Sequence, residues 1–526
     1  MQADADARWQ EAERFSAAGQ DARADPIYRS LLGVREHAPW AHLRLAVAAL
    51  RAGDAQASEA HALGAFGGAW ADPELLELVA KLLLRTGCVR EALACAEALL
   101  RLDAPTSALA EVGKMLSDHM LPEAALPLLQ RAMAKGLSRA PMVQYLVGLN
   151  LLYAGRHAEA LEALEASLRG NPDLAPAHWA LAKLADAPTR AARIDRLRAA
   201  LDRIPPDAQD APLLGYALFH ELDRAGDTAA AWPLLEQAMR RRRAQVRYDE
   251  SAQDALFDAA ARALELPEAS ANEPLHDGGA QPLFVVGMPR TGTTVIEQHL
   301  CARTDAASAG ELRDLALQLR RVTGRAGPPH FDAQQLAIDA GQARELGARY
   351  LERSRWRAQG HALYLDKWPE NYLAIGLILA ALPAARVVWV RRDPMDACFS
   401  NLKEWFAASY FYSYDMGEVA RHCARFERLH ALARSRAGAR VACIGYEDFA
   451  RAPEATIERA IDALGIPRRA AAPSAPQGTI ATASAAQARE AVSTRHIGAW
   501  RRYAQPLAPL RAELERLGLA AGESRA

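Results

Sequence analysis

The first 265 residues place apolar side chains at helical spacing in one segment after another, with short breaks between the segments. Ala, Leu and Arg dominate this part of the chain, and runs of β-branched residues are almost absent. Apolar positions that recur every three to four residues among strong helix formers are typical of amphipathic helices. The pattern therefore predicts that residues 1–265 are all-helical.

The breaks between these segments recur at a fixed interval. The residues at the breaks, each 34 positions after the one before, are Gly19, Gly53, Gly87, Leu121 and Gly155, and Gly226 follows 71 positions later. A small residue stands five positions after most breaks: Ala24, Ser58, Ala92, Ala160 and Ala231. Helix–turn–helix units of this length, in which a small residue lets the two helices approach, resemble tetratricopeptide repeats. Because one unit cannot bury its apolar face alone, we predict a solenoid of about six or seven stacked units. A non-repeating helical bundle is the alternative.

The hydrophobic pattern changes after a turn-rich stretch at residues 266–281. Short β-rich runs now alternate with helical segments, and the predicted strands are Leu283–Val286, Ala362–Leu365, Arg386–Val390 and Val441–Ile444. The connections between them are long enough for helices, which favours a parallel sheet in a three-layer α/β domain. We therefore predict a repeat array at 1–265, a linker at 266–281 and an α/β domain at 282–526. An exposed loop is expected from about residue 467 to 483.

Composition and charge exclude several classes of partner. The 526 residues include 63 Lys+Arg and 64 Asp+Glu, a formal net charge of −1, so no overall field points to nucleic acid or to a membrane. There is no apolar run long enough for a membrane span, the first residues lack the features of a signal peptide, and the six cysteines form no C-x-x-C pair. We therefore expect a cytoplasmic protein. The histidines show no metal-site spacing, and no metal is predicted.

The first chemical motif joins the strand Leu283–Val286 to a helix through the loop Gly287-Met-Pro-Arg-Thr-Gly-Thr-Thr294. Glycines let the loop turn its N–H groups inward, and the dipole of the following helix favours negative charge, so the motif predicts a phosphate-type site. The loop is close to the P-loop pattern G-x-x-x-x-G-K-[ST], but Thr293 replaces the lysine that reaches the β- and γ-phosphates. Arg290 offers a fork of donors for an oxyanion instead. The alternative is a turn that binds nothing.

A second basic segment, Arg391-Arg392-Asp393-Pro394, follows the strand Arg386–Val390. Its last two residues suit the N-cap and the first position of a helix, which puts Ser400 on that helix, able to share an anion with Arg392. Open α/β sheets bind ligands beyond the carboxyl ends of their strands. Two anion sites there indicate a nucleotide with phosphates at both ends of its ribose. A surface ion-pair cluster is the alternative.

Together the two motifs resemble the signature sites of the sulfotransferases that use 3′-phosphoadenosine 5′-phosphosulfate (PAPS). The loop from Gly287 to Thr294 resembles the family's 5′-phosphosulfate loop, and the segment from Arg392 to Ser400 resembles its 3′-phosphate site. The resemblance covers residues 282 to about 503, and the whole chain resembles a bacterial type that joins tetratricopeptide repeats to a sulfotransferase domain. It implies a P-loop-like α/β fold, PAPS as the cofactor, 3′,5′-adenosine bisphosphate as the product, and no metal.

The resemblance is closest to the tyrosylprotein sulfotransferases, and it assigns roles to single residues. Gly310-Glu311-Leu312-Arg313 resembles that family's Gly-Glu-x-x-Arg segment with one residue fewer, which makes Glu311 the catalytic base and Arg313 a residue that positions the acceptor. Lys367 is implied to stabilise the bridging oxygen, and Arg290 to hold the sulfuryl oxygens. The implied cofactor-binding residues are Arg290, Thr291, Gly292, Thr293, Thr294, Arg392, Ser400, Tyr446, Ser484 and Arg495.

Simpler explanations exist for several of these residues. Glu311 could cap a helix, and Tyr446 could be a packed ring with a satisfied hydroxyl. Lys367 could form a surface ion pair with Asp366 or Glu370.

The chain also departs from the family at one position. The family's Lys before a late Trp is Ala499 here, and the candidate substitutes are Arg495, Arg501 and Arg502. Which of them replaces the missing lysine stays open in the sequence.

The function that the resemblance implies is transfer of a sulfuryl group from PAPS to a hydroxyl acceptor. The tyrosylprotein type and a peptide-binding repeat array both favour a protein or peptide tyrosine as the acceptor, so we expect a protein or peptide partner. An ATP-dependent kinase with a P-loop-like fold, in which Asp366 would hold Mg²⁺, is one alternative. A tetratricopeptide scaffold with an inactive transferase domain is the other.

Overall fold

The computed structural model describes residues 2–184, 189–267, 279–325, 330–469 and 492–519. Most of the predicted linker and of the loop predicted near residue 475 lies outside the described residues, and so does Ser484. Statements about these segments therefore remain predictions.

The region before residue 265 is helical, as predicted. Its helices are α1 (Gln2–Ala17), α2 (Asp21–Leu31), α3 (Ala38–Ala52), α4 (Ala55–Phe66), α5 (Pro73–Thr86), α6 (Val89–Arg101), α7 (Thr106–Asp118), α8 (Pro122–Ala132), α9 (Pro141–Tyr153), α10 (His157–Gly170), α11 (Ala175–Lys183), α12 (Arg190–Arg203), α13 (Ala211–Ala225), α14 (Thr228–Gln245) and α15 (Glu250–Ala263).

Consecutive helices pair as hairpins whose turns fall at the predicted breaks. Helix α3 packs on α4, α5 on α6, α7 on α8 and α13 on α14. At three of the turns, Gly53, Gly87 and Gly226 end the first helix with φ of 83°, 78° and 82°, a left-handed conformation that glycine adopts without steric cost. At the break marked by Leu121, the preceding residue Met120 takes the left-handed conformation instead, with φ of 57°. The helical hairpins predicted from the 34-residue interval are confirmed.

The small residues that follow the turns lie where the two helices of a hairpin meet. Their exposed fraction is 0% at each of Ala24, Ser58, Ala92, Ala160 and Ala231. Ser58 satisfies its hydroxyl by donating to the carbonyl of Ala46 on the preceding helix, at 3.0 Å. Because protein interiors are close-packed, a longer side chain at these positions would force the helices apart.

The remaining part of the described chain contains one parallel sheet of five strands. The strands are β1 (Gln281–Gly287), β2 (Ala306–Gly310), β3 (Leu363–Asp366), β4 (Arg386–Arg391) and β5 (Val441–Gly445). Their order is β2-β3-β1-β4-β5. The predicted parallel sheet is confirmed, and β2 is an edge strand that the sequence pattern did not predict, because Ala-Ala-Ser-Ala-Gly carries no run of large apolar or β-branched residues.

Helices and short 3₁₀ turns lie between the strands and after the last of them. The helices are α16 (Thr293–Arg303), α17 (Asp314–Thr323), α18 (Ala333–Leu336), α19 (Ala340–Ser354), α20 (Ile375–Ala381), α21 (Pro394–Leu402), α22 (Met416–Arg436), α23 (Tyr446–Arg451), α24 (Pro453–Ala463) and α25 (Ala508–Arg516). Single 3₁₀ turns lie at Arg355–Ala358, Pro369–Ala374, Phe411–Tyr414, Gly438–Arg440, Thr494–His496 and Ala499–Tyr503. Among the described helices, none combines the length and the apolar character needed to cross a lipid bilayer.

Both faces of the sheet are covered, as expected for parallel strands. The core on one face is formed by residues that include Leu283, Val285, Ile296, Val388, Ile444 and Ile461. On the other face Phe284 stacks on Tyr350 of α19 with ring centroids 5.6 Å apart, and Trp389 packs against Phe426 of α22 at 5.5 Å. From β1 the chain goes to one side for β2 and β3 and to the other for β4 and β5, so a topological switch point lies between β1 and β4.

Contacts between Cα atoms divide the chain into two compact units. The first comprises Met1–Asn150 and Arg313–His330, and the second comprises Leu151–Leu312 and Phe331–Ala526. Helices α10 to α15 therefore belong to the same unit as the sheet, and within this unit α15 packs against α20 and α22. The predicted domain limits at residues 265 and 282 remain predictions.

Candidate functional site

The loop after β1 is compact and lies against the end of β4. A Cβ atom on Gly287 would lie 2.6 Å from the carbonyl oxygen of Val390, so only glycine permits this approach of the two strands. Arg290 and Gly292 both take the left-handed conformation, with φ of 65° and 99°. Thr291 donates its hydroxyl to the carbonyl of Met288 at 2.7 Å. The helix α16 then begins at Thr293, which gives the strand–loop–helix order of an anion site.

The second basic segment begins α21 in the predicted way. The carboxylate of Asp393 accepts a hydrogen bond from the N–H of Asp396 at 3.1 Å, and Pro394 is the first helical residue. The amide of Asn401, about two turns further along this helix, donates to the carbonyl of Pro289 in the loop at 2.8 Å. The helix that begins after β4 is therefore fastened to the loop that follows β1.

Arg392 joins the two segments directly. Its guanidinium donates to the carbonyl of Arg290 at 3.1 Å and to that of His496 at 2.6 Å, and it lies 4.5 Å from the ring centroid of Tyr446. The Tyr446 ring in turn occupies the space above Gly292, where a Cβ would lie 2.5 Å from it. Within the described part of the chain the buried Nε of Arg392 has no hydrogen-bond partner. The structure thus brings Arg290, Gly292, Arg392 and Tyr446 together and leaves one buried donor available.

Ser400 and Arg495 are the other predicted cofactor ligands that the structure describes on this side of the sheet's switch point, on α21 and on the 3₁₀ turn at Thr494–His496. Ser400 is a buried residue of α21, on the helix that starts directly after Arg392. Arg495 donates from Nε to Nε2 of His496 at 3.1 Å. Burial lowers the pKa of His496 to about 4, and the charges of Arg495, Lys403, Arg392 and Arg290 act in the same direction. The surroundings of His496 are therefore strongly positive.

The three candidate substitutes for the missing lysine differ in their contacts. Arg501 lies over the ring of Trp500 at 5.3 Å, and Arg502 forms an ion pair with Asp223 at 2.8 Å. Of the three, Arg495 is the one that contacts His496, whose carbonyl accepts a hydrogen bond from Arg392. This placement favours Arg495 as the substitute, and its role as a cofactor ligand remains a prediction.

Glu311 and Lys367 form an ion pair at the ends of β2 and β3. The Lys367 ammonium lies 2.5 Å from Oε1 of Glu311, and its backbone N–H donates to the carbonyl of Gly310 at 2.9 Å. Lys367 is fully buried, with an exposed fraction of 0%. The explanation of Lys367 as a member of a surface ion pair with Asp366 or Glu370 is therefore wrong. Glu311 remains partly exposed, so a substrate hydroxyl can reach its carboxylate.

A second carboxyl group lies near this pair. Glu297 of α16 is buried and accepts a hydrogen bond from the hydroxyl of Ser308 at 2.6 Å. Burial raises the pKa of the Glu297 carboxyl, while the positive charge of Lys367 opposes the rise and the charge of Glu311 adds to it. The two carboxyl groups therefore have different environments, with the more exposed one next to the lysine.

Asp366 is oriented into the protein. Its carboxylate accepts hydrogen bonds from the hydroxyl of Tyr350 at 2.9 Å and from the N–H of Trp368 at 3.1 Å, and it is fully buried. These bonds order the turn that carries Lys367. A kinase would need this carboxylate directed to Mg²⁺ at the mouth of the site, so the arrangement counts against the kinase alternative.

Arg313 belongs to the first compact unit, although it follows Glu311 by two positions. It is the N-cap residue of α17. The pKa values of His119 and His330 are lowered by the burial of these two side chains and, after that, by the positive charge of Arg313. Its role in positioning an acceptor remains a prediction.

Sequence reasoning missed Lys403 and Glu404. Burial lowers the pKa of Lys403 to about 8, Asp223 opposes this, and the charges of Arg392, Arg290 and Arg502 add to it. Glu404 lies 3.2 Å from Nε of Arg290. Both residues lie beyond the end of α21 at Leu402 and belong to no motif, so the sequence carried no signal for them.

Comparison with known proteins bears on the C-terminal region. Residues 282–470 match the model of the sulfotransferase family. An uncharacterised protein from Aquifex aeolicus (strain VF5) is 26% identical over 314 residues, which are 56% of this chain and 40% of that protein. The chain therefore spans well under two thirds of the length of this curated relative.

Solved structures show a distant likeness to part of the chain. The sulfotransferase domain of the curacin biosynthetic pathway is 14% identical, with a TM-score of 0.31 over 45% of this chain and 96% of that one. A sulfotransferase from Mycobacterium tuberculosis H37Rv is 16% identical, with a TM-score of 0.26 over 63% and 99%. The C-terminal part of a tetratricopeptide-repeat protein from Cytophaga hutchinsonii is 16% identical, with a TM-score of 0.28 over 44% and 84%. Because residues 282–470 match the family model, the C-terminal region of this chain contains a sulfotransferase-family domain.

Proposed function

We propose that this protein transfers a sulfuryl group from PAPS to a hydroxyl acceptor. The match of residues 282–470 to the sulfotransferase family supports sulfuryl transfer in general. The position of Arg392 is the observation that favours a nucleotide with two separated anionic groups. It hydrogen-bonds the loop after β1, lies over Tyr446 and keeps a buried Nε without a partner among the described residues.

The residues present fit PAPS as the cofactor. The N–H groups of the loop and the N-terminus of α16 suit the 5′-phosphosulfate, and the open donor of Arg392 with the hydroxyl of Ser400 suits the 3′-phosphate. Tyr446 offers its ring to the nucleotide. When bound, PAPS supplies an activated sulfuryl group whose leaving group is 3′,5′-adenosine bisphosphate.

Each residue near the reacting atoms then has one task. The carboxylate of Glu311 accepts the proton of the acceptor hydroxyl as that oxygen attacks. Lys367, which lies 2.5 Å from Oε1 of Glu311, orients this carboxylate and places a positive charge where the bridging oxygen becomes negative. Arg290 and the loop N–H groups hold the peripheral oxygens, so catalysis rests on positioning and on fixed positive charge.

A protein or peptide tyrosine is the acceptor that we propose. The segment Gly310-Glu311-Leu312-Arg313 resembles the tyrosylprotein type, and helical repeats commonly present a concave surface to extended partners. A phenol is also a favourable acceptor for a carboxylate base, because its proton is far more acidic than that of an alcohol.

Calorimetric titration with 3′,5′-adenosine bisphosphate, in the presence of EDTA, tests the cofactor. We expect binding without metal that Arg392→Ala weakens by about 10- to 100-fold, since a hydrogen bond to a charged group contributes about 1.5–3 kcal/mol. Arg240→Ala, which removes an exposed arginine of α14, is the matched control and should leave the affinity unchanged.

Two outcomes would contradict the proposal. Absence of bisphosphate binding together with Mg²⁺-dependent binding of ATP would establish a kinase instead. Bisphosphate binding with no sulfuryl transfer to any tyrosine peptide, phenol, sugar or alcohol would favour an inactive scaffold.

A further inference from the structure

The segment Leu402–Glu404, at the end of α21, is held by helices that precede the sheet in the chain. The hydroxyl of Tyr216 donates to the carbonyl of Leu402 at 3.1 Å, and Nε2 of His220 donates to the carbonyl of Lys403 at 2.9 Å. The ammonium of Lys183 contacts both carboxylate oxygens of Glu404, at 2.7 and 2.6 Å. Helices α11 and α13 thus hold each residue of this segment, and all of these residues belong to one compact unit.

Glu404 also reaches the anion loop. Its Oε2 lies 3.2 Å from Nε of Arg290, so one carboxylate is shared by Lys183 and Arg290. The side chains are 2% exposed for Glu404, 9% for Arg290 and 11% for Lys183. Lys183 further lies 4.2 Å from the ring centroid of Trp179, which fixes its ammonium from the other side. Buried charges interact strongly because little water screens them.

The charge balance of this group depends on Lys183. With the ammonium present, the group of Lys183, Glu404 and Arg290 carries one net positive charge, and Glu404 divides its hydrogen bonds between two cations. Without the ammonium, the full negative charge of a buried carboxylate would fall on Arg290. The guanidinium would then be drawn onto Glu404 and neutralised there, which weakens its attraction for an incoming anion.

We propose that Lys183 is a positioning residue of the anion site, which acts through Glu404 to set the place and the effective charge of Arg290. The helices that present Lys183, Tyr216 and His220 are then part of the nucleotide-binding machinery rather than a separate binding module. This inference rests on the proposed function, because it assigns Arg290 to the sulfuryl or phosphate oxygens of the nucleotide.

Titration of Lys183 supplies an independent readout. Burial lowers the pKa of Lys183 to about 7, Glu404 opposes this, and Arg290 and Arg224 add to it. Among the described residues, His220 also lies near Lys183: burial, and after it the charge of Lys183, holds the pKa of His220 well below its usual value, so this side chain stays neutral. As the pH rises through about 7, the wild-type protein should lose the ammonium and with it part of its affinity for an anion.

The test uses the full chain and calorimetric titration with 3′,5′-adenosine bisphosphate. Lys183→Met should weaken binding by about 10-fold, the size of effect typical when a supporting charge behind a ligand is removed, and Lys183→Arg should restore most of the affinity. Arg193→Met breaks another buried ion pair of the same helical region, Arg193–Glu221 at 2.7 Å. It is the matched control and should lower stability without changing affinity.

A double-mutant cycle separates positioning from a general structural effect. If Lys183 acts through Arg290, the variant that combines Lys183→Met with Arg290→Ala should bind no more weakly than Arg290→Ala alone. The ratio of wild-type to Lys183→Arg affinity should also fall between pH 6.5 and 8.5, since arginine keeps its charge and the titration of the ligand is common to both proteins. This second readout holds even where Lys183→Met does not fold.

The outcomes that overturn the inference differ from those that overturn the proposed function. If Arg392→Ala weakens binding as expected while Lys183→Met binds as the wild type does, or if the losses in the cycle add, the proposed function stands and the positioning role is wrong. If the wild-type protein itself does not bind the bisphosphate, both fall together.

Discussion

Gly292 makes room for Tyr446, and this contact joins the loop after β1 to the helix after β5. The Tyr446 ring occupies the position of the missing side chain, and Arg392 lies on the same ring at 4.5 Å. Gly292 also has a φ of 99°, which L side chains rarely adopt. A side chain at this position is therefore disfavoured twice, by backbone conformation and by collision with the ring.

Gly292→Ala should reduce the affinity for 3′,5′-adenosine bisphosphate by about 10-fold or more, because the displaced ring no longer supports Arg392. Gly438→Ala is the control: Gly438 also has a positive φ, of 53°, but an added Cβ there meets no atom within 4 Å. It should lower the free energy of unfolding by about 1–2 kcal/mol and leave binding unchanged. Equal affinities for the two variants would show that the Gly292–Tyr446 contact does not serve the site.

Glu311→Gln should lower kcat for sulfuryl transfer to a tyrosine peptide by about 10²–10⁴, the usual effect of removing a general base. The amide keeps the size of the side chain and can still accept a hydrogen bond from Lys367, so bisphosphate affinity should change little. Single-turnover transfer from PAPS measures the first quantity and calorimetry the second. Glu345→Gln, on the exposed face of α19, is the control, and a folded Glu311→Gln variant with normal kcat would remove Glu311 from the role of base.

At this scale the sequence predicted the residues that belong to a motif and missed those that act through tertiary contacts. Arg392 follows a strand and precedes an N-cap, so its position could be inferred from local rules. Glu404 belongs to no motif. Its contact with Arg290 depends on how α21 and the loop after β1 pack, and its contact with Lys183 bridges residues 221 positions apart.

At the scale of elements, apolar pattern was informative where a strand is buried on both faces. Strand β4 is buried except at its two ends, and its sequence Arg-Val-Val-Trp-Val-Arg predicted it almost to the residue. Edge strand β2 was missed because backbone pairing with β3 holds it rather than its own side chains. Hairpin turns were predicted from glycine spacing, and at the break at Leu121 the preceding Met120 takes the left-handed conformation, so such a turn does not require glycine.

The close approach of α20 to the end of α15 gives a prediction about stability. A Cβ on Gly376 would lie 2.3 Å from the carbonyl carbon of Ala263 and 2.5 Å from the N of Leu264. Helix propensity alone predicts that Gly376→Ala stabilises the protein by about 1 kcal/mol. Collision with backbone atoms, which cannot swing away as a side chain would, should outweigh this.

We therefore expect Gly376→Ala to lower the free energy of unfolding by about 1–3 kcal/mol, the range for overpacked cores. Gly341→Ala, where an added Cβ would contact only the carboxylate of Asp339 at 3.2 Å, should be close to neutral. Urea unfolding of the two variants measures both. A stabilised Gly376→Ala protein would mean that α15 does not rest on α20 in solution.

At the scale of the whole molecule, the net charge does not reveal the anion site. The sequence has a formal net charge of −1, yet Arg290, Arg392, Lys403 and Arg495 all contribute to lowering the pKa of His496, after the larger effect of burial. A neutral protein can therefore carry a local field that attracts an anion. Composition excluded a general polyanion partner and could not show this cluster, because its members come from distant parts of the chain.

Buried histidines determine how the stability of the second compact unit depends on pH. Burial lowers the pKa of His430 and of His496 to about 4, and it lowers those of His220 and His422 well below the usual value. In the unfolded chain the same side chains take up a proton near pH 6.5. As the pH falls below about 7, the unfolded state therefore binds protons that the folded state does not, and the folded state loses stability.

Thermal unfolding between pH 7.5 and 5.5 should show a Tm that decreases steadily as the pH is lowered. His430→Gln is an informative variant, because His430 packs against Trp389 at 5.2 Å and its buried Nε2 has no hydrogen-bond partner among the described residues. Removing this group should make the free energy of unfolding depend less steeply on pH, by up to about 1.4 kcal/mol per pH unit, which is the contribution of one proton. The decrease of Tm on acidification should become correspondingly smaller. The matched control is His361→Gln, since His361 is a more exposed histidine paired with Asp305. A Tm that rises on acidification, or a slope that His430→Gln leaves unchanged, would mean that His430 is accessible to protons in the folded protein.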